Sequence, residues 1–278
     1  PGRVFMSHSI LRVALGQFFV QPDSRENLSI VRNLIDRAQE GGANLLVLPE
    51  GIIARKPGDN TWPVRHREPL DGPFVSGLLK ATLGKSVTVV CTAQIALPDH
   101  ARYANDLLVV RDGKILLCYQ KLHLYDAFNA KESDNAVAGD VIPALVDVGP
   151  FRCGFMTCYD IRFPELARSL ALSGATLLVV PAAWVRGPLK EMHWDINIRA
   201  RALENTCYVA AVSECGPVNV GLSKVADPYG VVIAQCGSTD QLLFVDIDAD
   251  NVKACRKALP VLENRRFAAP RLERIDNN

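Results

Sequence analysis

The run Gly154-Phe155-Met156-Thr157-Cys158-Tyr159-Asp160-Ile161-Arg162-Phe163-Pro164-Glu165-Leu166 passes from an apolar strand pattern into a helix start. The strand is expected through residues 153–157 and the helix near residues 164–172, where Pro164 suits a first helical turn whose N–H groups lack partners anyway. The same alternation recurs outward in both directions. Upstream, strands are expected at 13–19, 44–48, 87–91, 107–110 and 115–119, and helices at 24–40 and 74–83. Downstream come a strand at 176–180, a helix at 190–205, a strand at 207–212, two strands about the turn Asp227-Pro228-Tyr229-Gly230, a strand at 242–247 and a short closing helix.

Local signals support this reading. Val31, Leu34, Ile35 and Ala38 fall on one helical face, Ser24 is a candidate N-cap, and Gly41-Gly42 supplies a stop. Asp112-Gly113 is a hairpin signal. Residues 121–139 read as a polar loop, and the tail from Pro260 as Arg-rich and irregular. With no Pro/Gly/Ser-rich linker, strands alternating with helices give one α/β domain over residues 11–267. Residues 1–10 are expected to be disordered or derived from a cloning vector, and residues 268–278 to form a tail. Gly42-Ala43-Asn44-Leu45-Leu46-Val47-Leu48-Pro49 is echoed 132 residues later by Gly174-Ala175-Thr176-Leu177-Leu178-Val179-Val180-Pro181. Each copy follows an amphipathic helix. The echo marks either two similar halves of a helix-covered, two-sheet sandwich or two ordinary buried strands.

A chain of 278 residues that is 49% hydrophobic and 22% charged can bury a sizeable core. Its net charge of +1 offers no field for nucleic acid or an anionic membrane, so the expected partner is a small molecule. No apolar run reaches the roughly 18 residues of a membrane span and no secretory leader pattern opens the sequence, which makes the cytoplasm the expected compartment. The eight cysteines are dilute and sit in apolar runs, as at Cys91, Cys118 and Cys207; most read as reduced core residues. No C-x-x-C pair occurs, and no metal is implied. Trp62 and Trp194 read as packing residues, and Arg265-Arg266 as a tail or dimer contact.

Three residues stand just past apolar strands. Cys158 lies at the strand-to-helix turn, which lifts a side chain off the sheet and aims the following N–H groups, Tyr159 first, at whatever it attacks. Glu50 ends the run Leu45-Leu46-Val47-Leu48-Pro49, at a carboxyl edge where α/β folds build their sites, and burial there raises a carboxylate's pKa, as a general base requires. Lys121 follows the strand ending at Tyr119-Gln120; an ammonium there stabilises a thiolate and donates to an oxyanion. Taken singly, each has a plainer explanation: a core cysteine, a loop glutamate, a solvated lysine.

Together they resemble a known family. The nitrilase, or carbon-nitrogen hydrolase, superfamily carries a glutamate in a P-E strand end, a lysine in K-x-H-L-[FY]-D and a cysteine in C-Y-D-x-R-F-P-E. The sequence has Pro49-Glu50, Lys121-Leu122-His123-Leu124-Tyr125-Asp126 and Cys158-Tyr159-Asp160-Ile161-Arg162-Phe163-Pro164-Glu165, at intervals of 71 and 37 residues. The resemblance extends over residues 11–267, including Pro181-Ala182-Ala183-Trp184 and Arg199-Ala200-Arg201-Ala202-Leu203-Glu204-Asn205. It implies a four-layer αββα sandwich, a homodimer or higher homo-oligomer, and cofactor-free amide hydrolysis through an acyl-thioester. It also implies a second glutamate, matched more loosely by Glu132, which alternatively is a solvated residue.

Within the superfamily, the Lys121 and Pro181 segments are similar to the bacterial deaminated glutathione amidases, which release α-ketoglutarate and Cys-Gly from glutathione that has lost its amino group. Such a substrate carries carboxylates, for which Arg186 and Lys190, beyond the Trp184 strand end, are candidate clamps or else a solvated basic pair. The rival readings are ω-amidase action on α-ketoglutaramate, N-carbamoyl amino acid or nitrile hydrolysis, a papain-like pairing of Cys158 with His123 or His193, and a catalytically silent scaffold.

Overall fold

The computed structural model describes residues 9–268, 273 and 275; the proposed N-terminal extension up to residue 8 and most of the proposed C-terminal tail lie outside the described residues. The first half contains β1 (Ile10–Gln17), α1 (Ser24–Glu40), β2 (Leu45–Val47), α2 (Trp62–Arg65), α3 (Pro73–Thr82), β3 (Thr88–Ala96), β4 (Tyr103–Arg111), β5 (Lys114–Gln120) and β6 (Ala136–Val137). The second contains β7 (Val146–Val148), β8 (Phe151–Phe155), α4 (Pro164–Leu172), β9 (Leu177–Ala182), α5 (Lys190–Asn205), β10 (Tyr208–Ser213), β11 (Lys224–Ala226), β12 (Val232–Gln235), β13 (Gln241–Asp248) and α6 (Ala249–Ala258).

Two sheets result, ordered β13-β1-β2-β3-β4-β5 with β6 beside β4, and β12-β11-β10-β9-β8-β7. Each is built around three parallel strands, β1-β2-β3 and β8-β9-β10, flanked by antiparallel ones. The echoed segments occupy equivalent places: β2 and β9 are the middle strands of the two parallel trios, each entered from a left-handed glycine, Gly42 or Gly174. The echo therefore marks two similar halves. Strands buried on both faces read as continuous apolar runs, which is why this repeat is visible in the sequence.

Three apolar clusters fill the layers. Leu11, Val13, Leu15, Leu45 and Val47 meet Phe155, Leu177, Val179, Ala210 and Val212 between the sheets. Val31, Leu34 and Ile35 of α1, with Phe74 and Leu78 of α3, cover the outer face of the first sheet. Leu166 and Leu170 of α4, with Trp194 and Ile198 of α5, cover that of the second. The architecture is helix, sheet, sheet, helix. No helix among the described residues is long and apolar enough to cross a membrane.

Some local expectations are corrected. The chain enters β1 at Ile10, inside the proposed N-terminal extension, because Ile10 pairs with Asp248. Asp23, not Ser24, caps α1, its side chain accepting from the Arg25 N–H. The segment 121–139 contains a 3-10 turn at Glu132–Asp134 as well as β6. All eight cysteines are free, but Cys118 is exposed, because alternate residues of β5 face outward.

Candidate active site

The carboxyl ends of β2, β5, β8 and β9 converge on one cavity of about 270 Å³, and Glu50, Lys121, Glu132 and Cys158 all line it. Each reaches it by a specific local device. Cys158 opens a 3-10 turn, Cys158–Arg162, between β8 and α4, and it adopts φ +46°, a left-handed conformation that costs a non-glycine residue of order 1–3 kcal/mol. Its neighbours hold it there. The buried Asp160 carboxylate accepts from the Thr157 N–H at 2.9 Å, the Tyr119 hydroxyl at 2.8 Å and the His123 N–H at 3.0 Å. Arg201 Nε donates to the Ile161 carbonyl at 2.8 Å, fixing the far end of the turn.

Glu50 follows β2 by way of Pro49, and its N–H donates to the Ala182 carbonyl at 3.1 Å, joining the first sheet to the second. Its Oε1 accepts from Lys121 Nζ at 2.9 Å and from Asn105 Nδ2 at 2.8 Å; its Oε2 accepts from the Ala183 N–H at 2.9 Å. Glu132 mirrors it on the other side of the lysine. Its Oε2 accepts from Lys121 Nζ at 2.8 Å and from the Tyr125 N–H at 2.7 Å, while its Oε1 accepts from Asn105 Nδ2 at 3.2 Å. Lys121 is 1% exposed, so its charge is balanced by protein carboxylates rather than by water.

The charges decide the chemistry available. Burial alone would raise the Glu50 pKa, as the sequence suggests, but the ammonium of Lys121 and the guanidinium of Arg55 outweigh it and bring Glu50 down to about 2. The raised carboxylate of the sequence reading is thus corrected: its counter-charges are buried with it. Burial, reinforced by the Glu50 charge, pushes the Cys158 thiol up despite Lys121. Burial disfavours the Lys121 cation, yet Glu132 and Glu50 hold its pKa well above the ordinary lysine value. The resting arrangement is a neutral thiol beside an ionised carboxylate and a cation.

The model of the carbon-nitrogen hydrolase family matches residues 12–257. The chain belongs to the carbon-nitrogen hydrolase family. It is 43% identical over 260 residues to an Escherichia coli O157:H7 protein named deaminated glutathione amidase, a match covering 94% of this chain and 99% of that one. Among solved structures, the NitFhit protein of C. elegans superposes with a TM-score of 0.86 at 29% identity, covering 94% of this chain and 66% of that one. A mutant amidase from Nesterenkonia sp. AN1, with the acetamide moiety of fluoroacetamide added covalently at its active-site cysteine, superposes with a TM-score of 0.76 at 26% identity, covering 95% and 97% of the two chains.

This carbon-nitrogen hydrolase is an amidase, and the remaining sequence-nominated residues divide. Trp184 and Lys190 line the cavity, the indole Nε1 donating to the Lys190 carbonyl at 2.8 Å. Arg186 does not line it: its Nε donates to the Gly216 carbonyl at 3.3 Å and a terminal nitrogen lies 3.9 Å from Glu191, so local partners outside the cavity hold it. Tyr159 lines the cavity as the residue after Cys158. Neither His123 nor His193 lines the cavity. His123 Nδ1 lies 2.7 Å from Asp160 and its ring stacks on Phe163, so it braces the turn. A papain-like pair is not assembled.

The sequence reading misses Asn105, Arg55, Arg162 and Glu214 of this hydrolase, all within or bordering the site. Asn105-Asp106 is a polar pair inside the apolar pattern of β4, and Arg162 stands within the cysteine motif itself; both are readable signals. Arg55 and Glu214 carry none.

Proposed function

We propose that this amidase hydrolyses the α-ketoglutaryl amide of deaminated glutathione, with Cys158 as nucleophile and Glu50, Lys121 and Glu132 completing the catalytic set. The observation that carries the substrate reading is a pair of cavity cations, Lys190 and Arg162, with no carboxylate partner among the described residues. Lys190 is 4% exposed, donates to the Tyr125 hydroxyl at 2.7 Å and lies 3.3 Å from the Phe128 ring centre, with no carboxylate partner among the described residues. Burial, followed by the neighbouring Arg162 charge, lowers its pKa. The Arg162 guanidinium stacks 4.7 Å above the Trp184 ring, a terminal nitrogen lies 3.4 Å from His193 Nδ1, and its buried Nε has no hydrogen-bond partner among the described residues. Cations so placed are stabilised by a substrate carboxylate, and deaminated glutathione carries two. Arg162 thus replaces Arg186 as partner to Lys190. The similarity to a relative named for this activity points the same way.

Catalysis then runs in two halves. The Cys158 proton passes to Glu50 as Sγ attacks the amide carbon, and the oxyanion of the tetrahedral intermediate is held by Lys121 and the Tyr159 N–H. Glu132 and Asn105 keep the ammonium in place. The intermediate collapses, the Glu50 proton goes to the departing amine of Cys-Gly, and an acyl-thioester remains on Cys158. Water then loses a proton to Glu50 and attacks the thioester; collapse releases α-ketoglutarate and returns the proton to sulfur.

The test is product release by wild type and Cys158→Ala from deaminated glutathione, α-ketoglutaramate, an N-carbamoyl amino acid and a simple nitrile. Cleavage of deaminated glutathione far faster than the others, by wild type alone, is expected. Preference for α-ketoglutaramate would move the assignment to ω-amidase, and no turnover of any would overturn it.

The active form is, in this reading, a homodimer. Met192, Ile196 and Leu203 are 46%, 53% and 45% exposed at spacings that put them along one side of α5, and Leu189, at its N-cap, is 62% exposed, together an apolar stripe suited to a second copy.

A further inference from the structure

Glu50 and a second buried carboxylate, Glu214, flank a single carbonyl: the N–H groups of both donate to Ala182 O, at 3.1 and 2.9 Å. Glu214 follows β10 and is 1% exposed. Its Oε1 accepts from the Val20 N–H at 3.2 Å, and its Oε2 forms an ion pair with Arg55 Nε at 3.1 Å. Arg55 lies in the segment after Glu50 and lines the same cavity. The guanidinium therefore pairs with one carboxylate while its charge also acts on the other, and its attraction for each depends on the other.

We infer that Glu214 is a positioning residue: by pairing with Arg55 it holds the guanidinium's charge off Glu50 and so sets how readily Glu50 accepts the thiol proton of Cys158. This rests on the catalytic reading of Glu50 and Cys158, not on the choice of substrate. The direction follows from where the Arg55 charge falls. Arg55 is among the chief groups acting on Glu50, whereas Cys158, which it also reaches, is governed first by burial, Glu50 and Lys121, so a freer Arg55 weakens Glu50 as a base more than it acidifies the thiol. Neutralising Glu214 therefore disfavours proton transfer from sulfur to carboxylate.

The groups facing Glu214 and Arg55 are Glu50, Tyr103, Cys158 and Cys215, and burial pushes the Cys158 thiol up. Burial raises the Tyr103 hydroxyl and the Cys215 thiol, and Glu50 is held at about 2. Burial lifts Glu214 to about 7 against the pull of Arg55 and Val20, which makes it the member of this group that ionises near neutrality. Glu50 basicity then increases as pH rises through that region.

The experiment measures two rates across pH 5–9 in wild type, Glu214→Gln and Glu214→Asp: turnover of deaminated glutathione and alkylation of Cys158 by iodoacetamide, the second requiring no substrate. Wild type is expected to show a rise centred near pH 7 in both. In Glu214→Gln that rise disappears and kcat above pH 8 falls about tenfold with KM within twofold, since a carboxylate's pKa moves by a unit or more with a neighbouring charge. Glu214→Asp restores part of the rise. An unchanged alkylation profile in Glu214→Gln overturns the inference, even if turnover is lower. Should Glu214→Gln not fold, Glu214→Asp alone decides, because a shorter carboxylate further from Arg55 weakens the rise and an unaltered profile overturns the proposal. A normal alkylation response without cleavage of deaminated glutathione would instead strike only the substrate assignment.

Discussion

Replacing Lys121 by methionine removes the one ammonium shared by Glu50 and Glu132 while keeping the length of the side chain. In the wild type, holding Glu50 at about 2 rather than 4.5 corresponds to about 3 kcal/mol of stability. Because this pKa is depressed in the folded state, the contribution is present above about pH 4.5 and is lost as pH falls towards 2. In Lys121→Met, Glu50 stays buried without its nearest cation, and burial raises its pKa above the unfolded value. A raised carboxylate gives the opposite dependence, in which stability is fully present below the unfolded pKa and lost as pH rises through the folded one. Breaking a buried ion pair by removing one partner typically costs about 3–5 kcal/mol, so the variant should fold, with most of that loss at neutral pH. Urea denaturation at pH 5 and pH 7.5 is the assay. Measured against wild type at each pH, Lys121→Met should lose more stability at pH 7.5 than at pH 5, a range over which the Glu50 contribution to the wild type is nearly constant. A variant within about 1 kcal/mol of wild type at pH 7.5, with the wild-type pH trend, would refute the claim that this cation organises the carboxylates. Turnover should drop about 10² to 10³-fold through loss of an oxyanion donor.

Other outcomes follow from the same geometry. Arg162→Ala and Lys190→Met should raise KM for a substrate bearing carboxylates about tenfold or more while sparing Cys158 alkylation, whereas Arg186→Ala should leave both near wild type; steady-state kinetics separates the three. His123→Ala should retain Cys158 alkylation and measurable turnover, since the ring braces Asp160 outside the cavity, but should lose about 1–2 kcal/mol in urea denaturation through the broken contact to a buried carboxylate. Ile196→Glu, in the middle of the α5 stripe, should give a monomer by sedimentation velocity; an unchanged species would place any interface elsewhere.

Much of this architecture is legible in the sequence because burial on both faces leaves continuous apolar runs. The strands β2 and β9, with the helices packed before them, are marked by their matching Gly-Ala-x-Leu-Leu-Val segments, and α4 and α5 begin at Pro164 and Lys190 as the pattern predicts. The ends of β3 and β4 are not legible, because buried polar residues interrupt the apolar pattern where the strands reach the site. Thr92 Oγ1 accepts from the Gly51 N–H at 2.7 Å and Gln94 Oε1 from the Ile53 N–H at 3.1 Å, so these polar side chains hold the segment after Glu50 rather than marking a loop. Asn105 does the same for the two glutamates. Glu50, Lys121 and Cys158 are legible as residues past strand ends, but their ionisation is not: whether burial or a counter-charge wins depends on Arg55 and Lys121 lying beside Glu50 in space. The arginine nearest Lys190 in sequence, Arg186, is held by Gly216 and Glu191, while Arg162, from the cysteine turn, reaches the cavity. Proximity along the chain selects the arginine that does not line the cavity.

Acyl transfer through the sulfur of Cys158 leaves a covalent trace, which acid-quenching the enzyme during turnover of deaminated glutathione and mapping the mass of its peptides will detect. A mass gain equal to the α-ketoglutaryl group is expected on the peptide containing Cys158, and a Cys158→Ala variant should neither acquire the group nor release product. Hydrolysis by Cys158→Ala at a rate near wild type, or an acyl group mapped to another residue, would contradict this route.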